Sequence, residues 1–154
     1  MKILVAIDES NSSHKALEKA LHLVNHQNAT FVILGVEEPV MMTSTSPLPG
    51  VFGEAPTTNW QQEEELVELE EKRTISAIRW AENICDRAGI MFKSRLEFGD
   101  AKHIICDVAQ QENCDLIVIG SHSYGIIERM LIGSVTDHVV HHAHCAVLVV
   151  REGE

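Results

Sequence analysis

Asp115-Leu116-Ile117-Val118-Ile119 is a stretch of strand length that is apolar after its first residue, and Gly120 follows it directly. A second run of this kind, Ile3-Leu4-Val5-Ala6-Ile7, ends at Asp8. A strand with one face in water alternates apolar and polar residues, whereas a continuous apolar run is typical of a strand buried on both faces. The two runs therefore predict central strands of a parallel sheet that helices cover on both sides.

The rest of the chain alternates predicted strands and helices. Residues 90–98 alternate in polarity, which favours a strand near an edge of the sheet. Such alternation indicates parallel strands joined by right-handed crossovers, so we predict an open five-stranded α/β sheet in the order 3-2-1-4-5 with helices on both faces. The remaining predicted elements are strands at 30–36 and 146–150, and helices after Asp8, over 60–88, from a cap at Asp100, and over 134–142.

Length and composition limit the possible partners. The 154 residues predict one domain, and a charge of −11 disfavours nucleic acid and anionic membranes as partners. The N-terminus does not resemble a signal peptide, and no apolar run reaches membrane-spanning length, so we expect a cytoplasmic protein. The four cysteines form no Cys-x-x-Cys motif and are expected to be reduced. All four prolines lie in residues 39–56, which predicts a long mobile loop at about 39–60.

Ligands of open parallel sheets bind beyond the carboxyl ends of the strands, where the strand order reverses. In the predicted order this crevice lies between Asp8 and Gly120. Residues 120–134 add two more glycines, and we expect Ser134 to open the last helix in a capping box with Asp137. Glycines and a helix N-terminus form a plausible phosphate cradle, although ordinary turn glycines and a simple cap would give the same pattern. The segment is neither a Walker loop nor a Gly-x-Gly-x-x-Gly fingerprint.

Four segments of the chain resemble the universal stress protein family. They read ILVAIDES from residue 3, LEFGDA from residue 96, DLIVIGSHSYG from residue 115 and GSVTDHVVHHAHCAVLVVR from residue 133. The nucleotide-binding branch of that family carries Gly-x2-Gly-x9-Gly-Ser/Thr. Gly120, Gly133 and Ser134 match this motif with the nine-residue spacer intact, and Ser123 replaces its second glycine.

The resemblance implies a Rossmann-like fold of the adenine nucleotide alpha hydrolase type, and a site for ATP or another adenine nucleotide, with or without Mg²⁺. It further implies a homodimer formed by antiparallel pairing of the last strands, residues 146–150, which would cover an exposed sheet edge. The implied nucleotide-binding residues are Ala6, Ile7, Asp8, Val36, Ile119, Gly120, His122, Ser123, Gly133, Ser134, Val135 and Thr136.

Three other functions stay open at the level of sequence. A slow ATPase would use Asp8 to hold Mg²⁺ and Arg129 or His122 to contact phosphate. A metal site would draw on His138 and His142, four residues apart on one helix, with His141, His144 and Cys145 nearby. A protein-interaction module of the same fold would bind no nucleotide at all.

Overall fold

Five strands alternate with four helices in the computed structural model, which describes residues 1–24, 28–39, 60–121 and 132–151. In chain order the elements are β1 (Lys2–Ala6), α1 (Asn11–Leu23), β2 (Thr30–Glu37), α2 (Trp60–Ala88), β3 (Met91–Phe98), α3 (Ala101–Gln111), β4 (Leu116–Ser121), α4 (Ser134–His142) and β5 (Ala146–Arg151).

All pairs of neighbouring strands are parallel, and the sheet order is β3-β2-β1-β4-β5. β1 lies at the centre, where Val5 is paired with Ile33 of β2 on one side and with Val118 of β4 on the other. The predicted α/β class and the order 3-2-1-4-5 are thereby confirmed, and β3 lies at an edge as its alternating polarity indicated.

The apolar runs of the central strands supply two cores, one on each face of the sheet. Val5, Ile33 and Val118 lie in the core that also contains the buried residues of α1 and α2. Leu4, Val32 and Ile117 point the other way, into the core with α3 and α4. Successive residues of a strand face opposite sides, so a continuous apolar run fills both layers at once.

Local capping signals fix where α1 and α3 begin. The Ser10 side chain accepts a hydrogen bond from the N–H of Ser13 at 3.2 Å and caps α1. The Asp100 carboxylate accepts from the N–H of Lys102 at 3.2 Å and caps α3, as predicted. Each cap supplies an acceptor for one of the free N–H groups that a helix leaves at its N-terminus. Both caps lie at the carboxyl edge of the sheet.

The predicted capping box of Ser134 and Asp137 is wrong. Gly133 occupies the N-cap position of α4, so Ser134 is the first helical residue, and within the described part of the chain no side chain caps this helix. The N–H of Asp137 donates to the carbonyl of Gly133 at 2.8 Å, which is an ordinary first helical bond. The helix therefore starts one residue earlier than the pairing of Ser134 with Asp137 requires.

Three further expectations concern the predicted loop, membrane-spanning segments and the cysteines. Most of the predicted loop at 39–60 lies outside the described residues, and α2 begins at Trp60. Among the helices of the described ranges, none combines the length and apolar character needed to cross a bilayer. All four cysteines are free thiols, with Cys85 and Cys114 buried.

Candidate functional site

A cavity of about 620 Å³ opens at the carboxyl ends of β1, β2 and β4. Its floor is formed by the ends of these strands, and its walls include the β1–α1 loop and the first turn of α4. The volume lies within the range of pockets that bind small molecules and cofactors. The cavity occupies the place where the strand order reverses, between β1 and β4, which is the position expected for a ligand in this architecture.

The cavity brings most of the predicted site residues together. Two of them, His122 and Ser123, lie outside the described residues, as does Arg129. The ten that line the cavity are Ala6, Ile7, Asp8, Val36, Ile119, Gly120, Gly133, Ser134, Val135 and Thr136.

Asp8 and three serines organise the loop between β1 and α1. The Asp8 carboxylate accepts hydrogen bonds from the N–H of Ser10, at 2.9 Å, and from the hydroxyl of Ser10. The Ser13 hydroxyl donates to the carbonyl of Asp8 at 2.9 Å, and the Ser10 and Ser12 hydroxyls are 3.0 Å apart. These local bonds hold the Asp8 side chain at the rim of the cavity, where it is exposed.

Gly120 is a glycine because the N-terminal turn of α1 packs directly against it. A Cβ atom at this position would lie 2.5 Å from the carbonyl carbon of Ser12 and 2.6 Å from its oxygen. Backbone atoms at that distance cannot move aside without shifting the helix. The carbonyl of Gly120 also accepts a hydrogen bond from the buried Thr136 hydroxyl at 3.2 Å, which ties α4 to β4. Packing therefore requires this glycine whether or not a ligand approaches it.

Gly133 is different, because a Cβ atom there would meet no atom of the described residues within 4 Å, and its φ of −51° suits any residue. It caps α4, whose first turn lines the cavity, and among the described residues no side chain caps that turn. Free N–H groups and the positive end of the helix dipole together favour an anion. The N-terminus of α4 is thus the part of the cavity best suited to a phosphate group.

The opposite wall is acidic, which the sequence motifs did not predict. Glu37 ends β2 and Glu38 follows it, and Glu70 of α2 faces the cavity beside Arg73. Burial, and then the charge of Glu71, raise the pKa of the Glu37 carboxyl above its usual range. The acidic pair at the end of β2 could have been predicted from its place at a strand end. The face that α2 presents to the cavity could not be predicted from the sequence.

Arg73 is held by two carboxylates of this wall. Its Nε lies 3.4 Å from Glu9 Oε2, and its terminal nitrogen NH1 lies 3.1 Å from Glu70 Oε1. Among the described residues that line the cavity, it is the one cationic side chain, and its charge is already compensated.

Two of the histidines noted in the sequence, His138 and His142, lie at the seam between α3 and α4. The rings of His138 and His142 are stacked with centroids 3.9 Å apart, and His103 of α3 packs edge-on against His138. Desolvation and the charges of His142 and His103 lower the pKa of His138. Among the residues the structure describes, no three His, Cys, Asp or Glu side chains form a group that could hold a metal ion.

Comparison with known proteins identifies the family. The model of the universal stress protein family matches residues 1–151. The chain belongs to this family. Universal stress protein YxiE of Bacillus subtilis is 32% identical over 153 residues, and the match covers 97% of this chain and 98% of YxiE. The resemblance indicated by the four sequence segments is thereby confirmed.

Solved structures of the universal stress protein family share the fold. UspA from Lactobacillus plantarum matches with a TM-score of 0.75 at 27% identity, covering 98% of this chain and 97% of that one. A family member from Arabidopsis thaliana, solved with AMP bound, matches with a TM-score of 0.71 at 20% identity, covering 99% and 92% of the two chains. These matches support the observed order of strands and helices over nearly the whole of this chain.

Proposed function

We propose that the cavity binds an adenine nucleotide, ATP among them, and that the protein acts as a nucleotide-binding regulatory dimer of the cytoplasmic stress response. The observation that carries this proposal is the N-terminus of α4. It lines a cavity of about 620 Å³, no side chain of the described residues caps it, and the glycine at its N-cap leaves open space among those residues. A nucleotide phosphate would supply the acceptors that the N–H groups of this turn lack.

The floor of the cavity suits a purine base. Ala6, Ile7, Leu34, Val36 and Ile119 line it with apolar side chains at the ends of three neighbouring strands. A planar base gains from burial against such a surface, while specificity comes from a few polar groups at its edge. The AMP bound by the Arabidopsis relative supports an adenine nucleotide as the ligand.

The positions of the motif residues support the same orientation of the ligand. Gly133 and Ser134 lie at the start of α4, and Gly120 lies near the end of β4, and all three line the cavity. Asp8 lines it from the β1–α1 loop. Phosphates at α4 would leave the ribose near Asp8 and the base near Val36. His122 and Ser123 belong to this proposed site through the sequence motif.

Thermal denaturation with and without nucleotide tests the proposal. ATP with Mg²⁺ at 100 times its dissociation constant stabilises a binder by about 2.7 kcal/mol, and UTP at equal concentration serves as the control for the base. The variant Ser123→Gly restores the motif glycine and should bind at least as tightly. No shift with any adenine nucleotide, in either protein, would refute nucleotide binding and favour a nucleotide-free interaction module.

Turnover and assembly are measured on the same samples. We expect no fast multiple turnover of labelled ATP, because among the described cavity residues the one cation, Arg73, is paired with two carboxylates. The proposed dimer pairs β5 of two copies, since β5 is an edge strand of the sheet. Sedimentation velocity should show a mass near twice 17.1 kDa, and a monomer at all concentrations would contradict this part of the proposal.

A further inference from the structure

The charges around the cavity are unevenly distributed. The described residues that line it include five carboxylates and one guanidinium, a net charge of −4 when all six groups are ionised. The carboxylates belong to Asp8, Glu9, Glu37, Glu38 and Glu70. The favourable end of α4 offers about half a positive charge, which offsets only a small part of this field.

Among the described residues of the wall, no further cation neutralises these acidic groups. Glu9 and Glu70 share the one described cation, Arg73. The Glu38 carboxylate accepts from the N–H of Ala101 at 3.1 Å, which is a neutral donor. One oxygen of Glu37 is buried and has no hydrogen-bond partner in the described structure, and the raised pKa of this carboxyl is consistent with an environment that disfavours negative charge.

From this distribution we infer that the site discriminates among adenine nucleotides by phosphate charge, favouring AMP over free ATP and taking ATP as its complex with a divalent cation. The inference rests on the proposed function, because it concerns the same cavity. A nucleotide can place one phosphate at the N-terminus of α4 with little penalty. Every further phosphate charge adds repulsion from the acidic wall, and a bound Mg²⁺ removes most of that added charge.

The size of the effect follows from Coulomb's law with screening. For a net charge of about −4 at roughly 10 Å in a water-like dielectric, each added phosphate charge costs roughly fivefold in affinity at about 10 mM salt. Free ATP carries about two more charges than AMP, so the expected difference is roughly 25-fold. At about 0.5 M salt the Debye length falls to a few ångströms and the difference should shrink to about twofold or less.

Isothermal titration of AMP, ADP and ATP provides the test, first in EDTA at about 10 mM salt and then at about 0.5 M salt. We expect affinity to fall from AMP to ADP to ATP at low salt and the differences to collapse at high salt. Added Mg²⁺, at matched ionic strength, should increase the affinity for ATP and leave the affinity for AMP unchanged. ATP binding as tightly as AMP in EDTA at low salt would overturn the inference and leave the proposed function standing. Absence of binding by all three nucleotides in every condition would instead refute the proposed function.

A charge variant and a matched control assign the effect to the acidic wall. Glu9→Gln removes one carboxylate and releases Arg73 from one of its two partners, so the affinity for free ATP should rise about fivefold at low salt. Asp86→Asn makes the same change of net charge on α2, 13 residues beyond Arg73 and therefore about 20 Å along the helix axis. It should leave the ATP affinity within about twofold of the parent. Equal effects of the two variants would show that net charge, and not the wall, sets the preference.

Discussion

The substitution Gly133→Ser should change stability and ligand affinity in opposite directions. Gly133 is the N-cap of α4 with φ −51° and ψ 154°, a backbone that serine adopts easily, and a Cβ atom there meets nothing within 4 Å. A serine hydroxyl can accept from an N–H of the first turn, as Ser10 does for α1. Serine exceeds glycine as an N-cap by a few tenths of a kcal/mol, so the melting temperature should rise by about 1 °C.

The same hydroxyl would occupy an N–H group that a phosphate is proposed to use. A hydrogen bond to a charged acceptor contributes about 1.5–3 kcal/mol, so the loss of one such bond should weaken nucleotide binding by about 10- to 100-fold. Calorimetry measures both quantities, with denaturation of the free protein for stability and titration of AMP for affinity. A Gly133→Ser protein that binds AMP as tightly as the parent would refute a phosphate site at the N-terminus of α4.

The variant Gly133→Ala distinguishes competition for the N–H groups of α4 from steric obstruction by the added side chain. It places a methyl group in the same open space but offers no acceptor, and alanine is a poor N-cap. We therefore expect a loss of up to about 1 kcal/mol of stability and a smaller loss of affinity than for serine. If the alanine and serine variants weaken binding equally, nucleotide affinity depends on the free space at this position and not on the N–H groups of α4.

Three further predictions concern the scaffold. Gly120→Ala should destabilise the protein by about 2–4 kcal/mol in urea denaturation, because the new Cβ atom would lie 2.5 Å from the backbone of Ser12; a loss below about 0.5 kcal/mol would contradict that packing. Neighbouring lysine and arginine side chains lower the pKa of Glu112. The stability that its carboxylate contributes is therefore fully present above the ordinary glutamate pKa and is lost as the pH falls through the lowered value. Glu112→Gln should thus cost about 1 kcal/mol at pH 7 and nothing near pH 2, and a constant difference across that range would exclude the ion pairs as the cause. Burial raises the pKa of Cys85 and of Cys114 to about 11, so iodoacetamide at pH 8 should label both at least 100-fold more slowly in the native protein than in denaturant, which peptide mass mapping can measure.

The position of the candidate site could be predicted from the sequence because strand order and chain direction follow from local patterns. Continuous apolar runs identify buried strands, alternation with helices makes them parallel, and the turn residues Asp8 and Gly120 then meet at one edge of the sheet. The bounds of α4 were predicted correctly, but the cap was assigned to Ser134, because an N-cap is defined by backbone geometry. Gly133 has the required geometry without any side-chain acceptor.

The acidic wall and the separate roles of the glycines depended on tertiary contacts. Whether α2 turns Glu70 and Arg73 toward the cavity is set by how that helix packs on β2 and β3, which its own periodicity leaves undetermined. Gly120 and Gly133 look alike in the motif. Gly120 is required because the backbone of α1 packs against it, whereas a Cβ atom at Gly133 would meet open space among the described residues. The sequence by itself therefore determined the fold and the place of the site, because these follow from hydrophobic periodicity and chirality. The charge of the site and the reason for each glycine were decided by packing between elements distant in the chain.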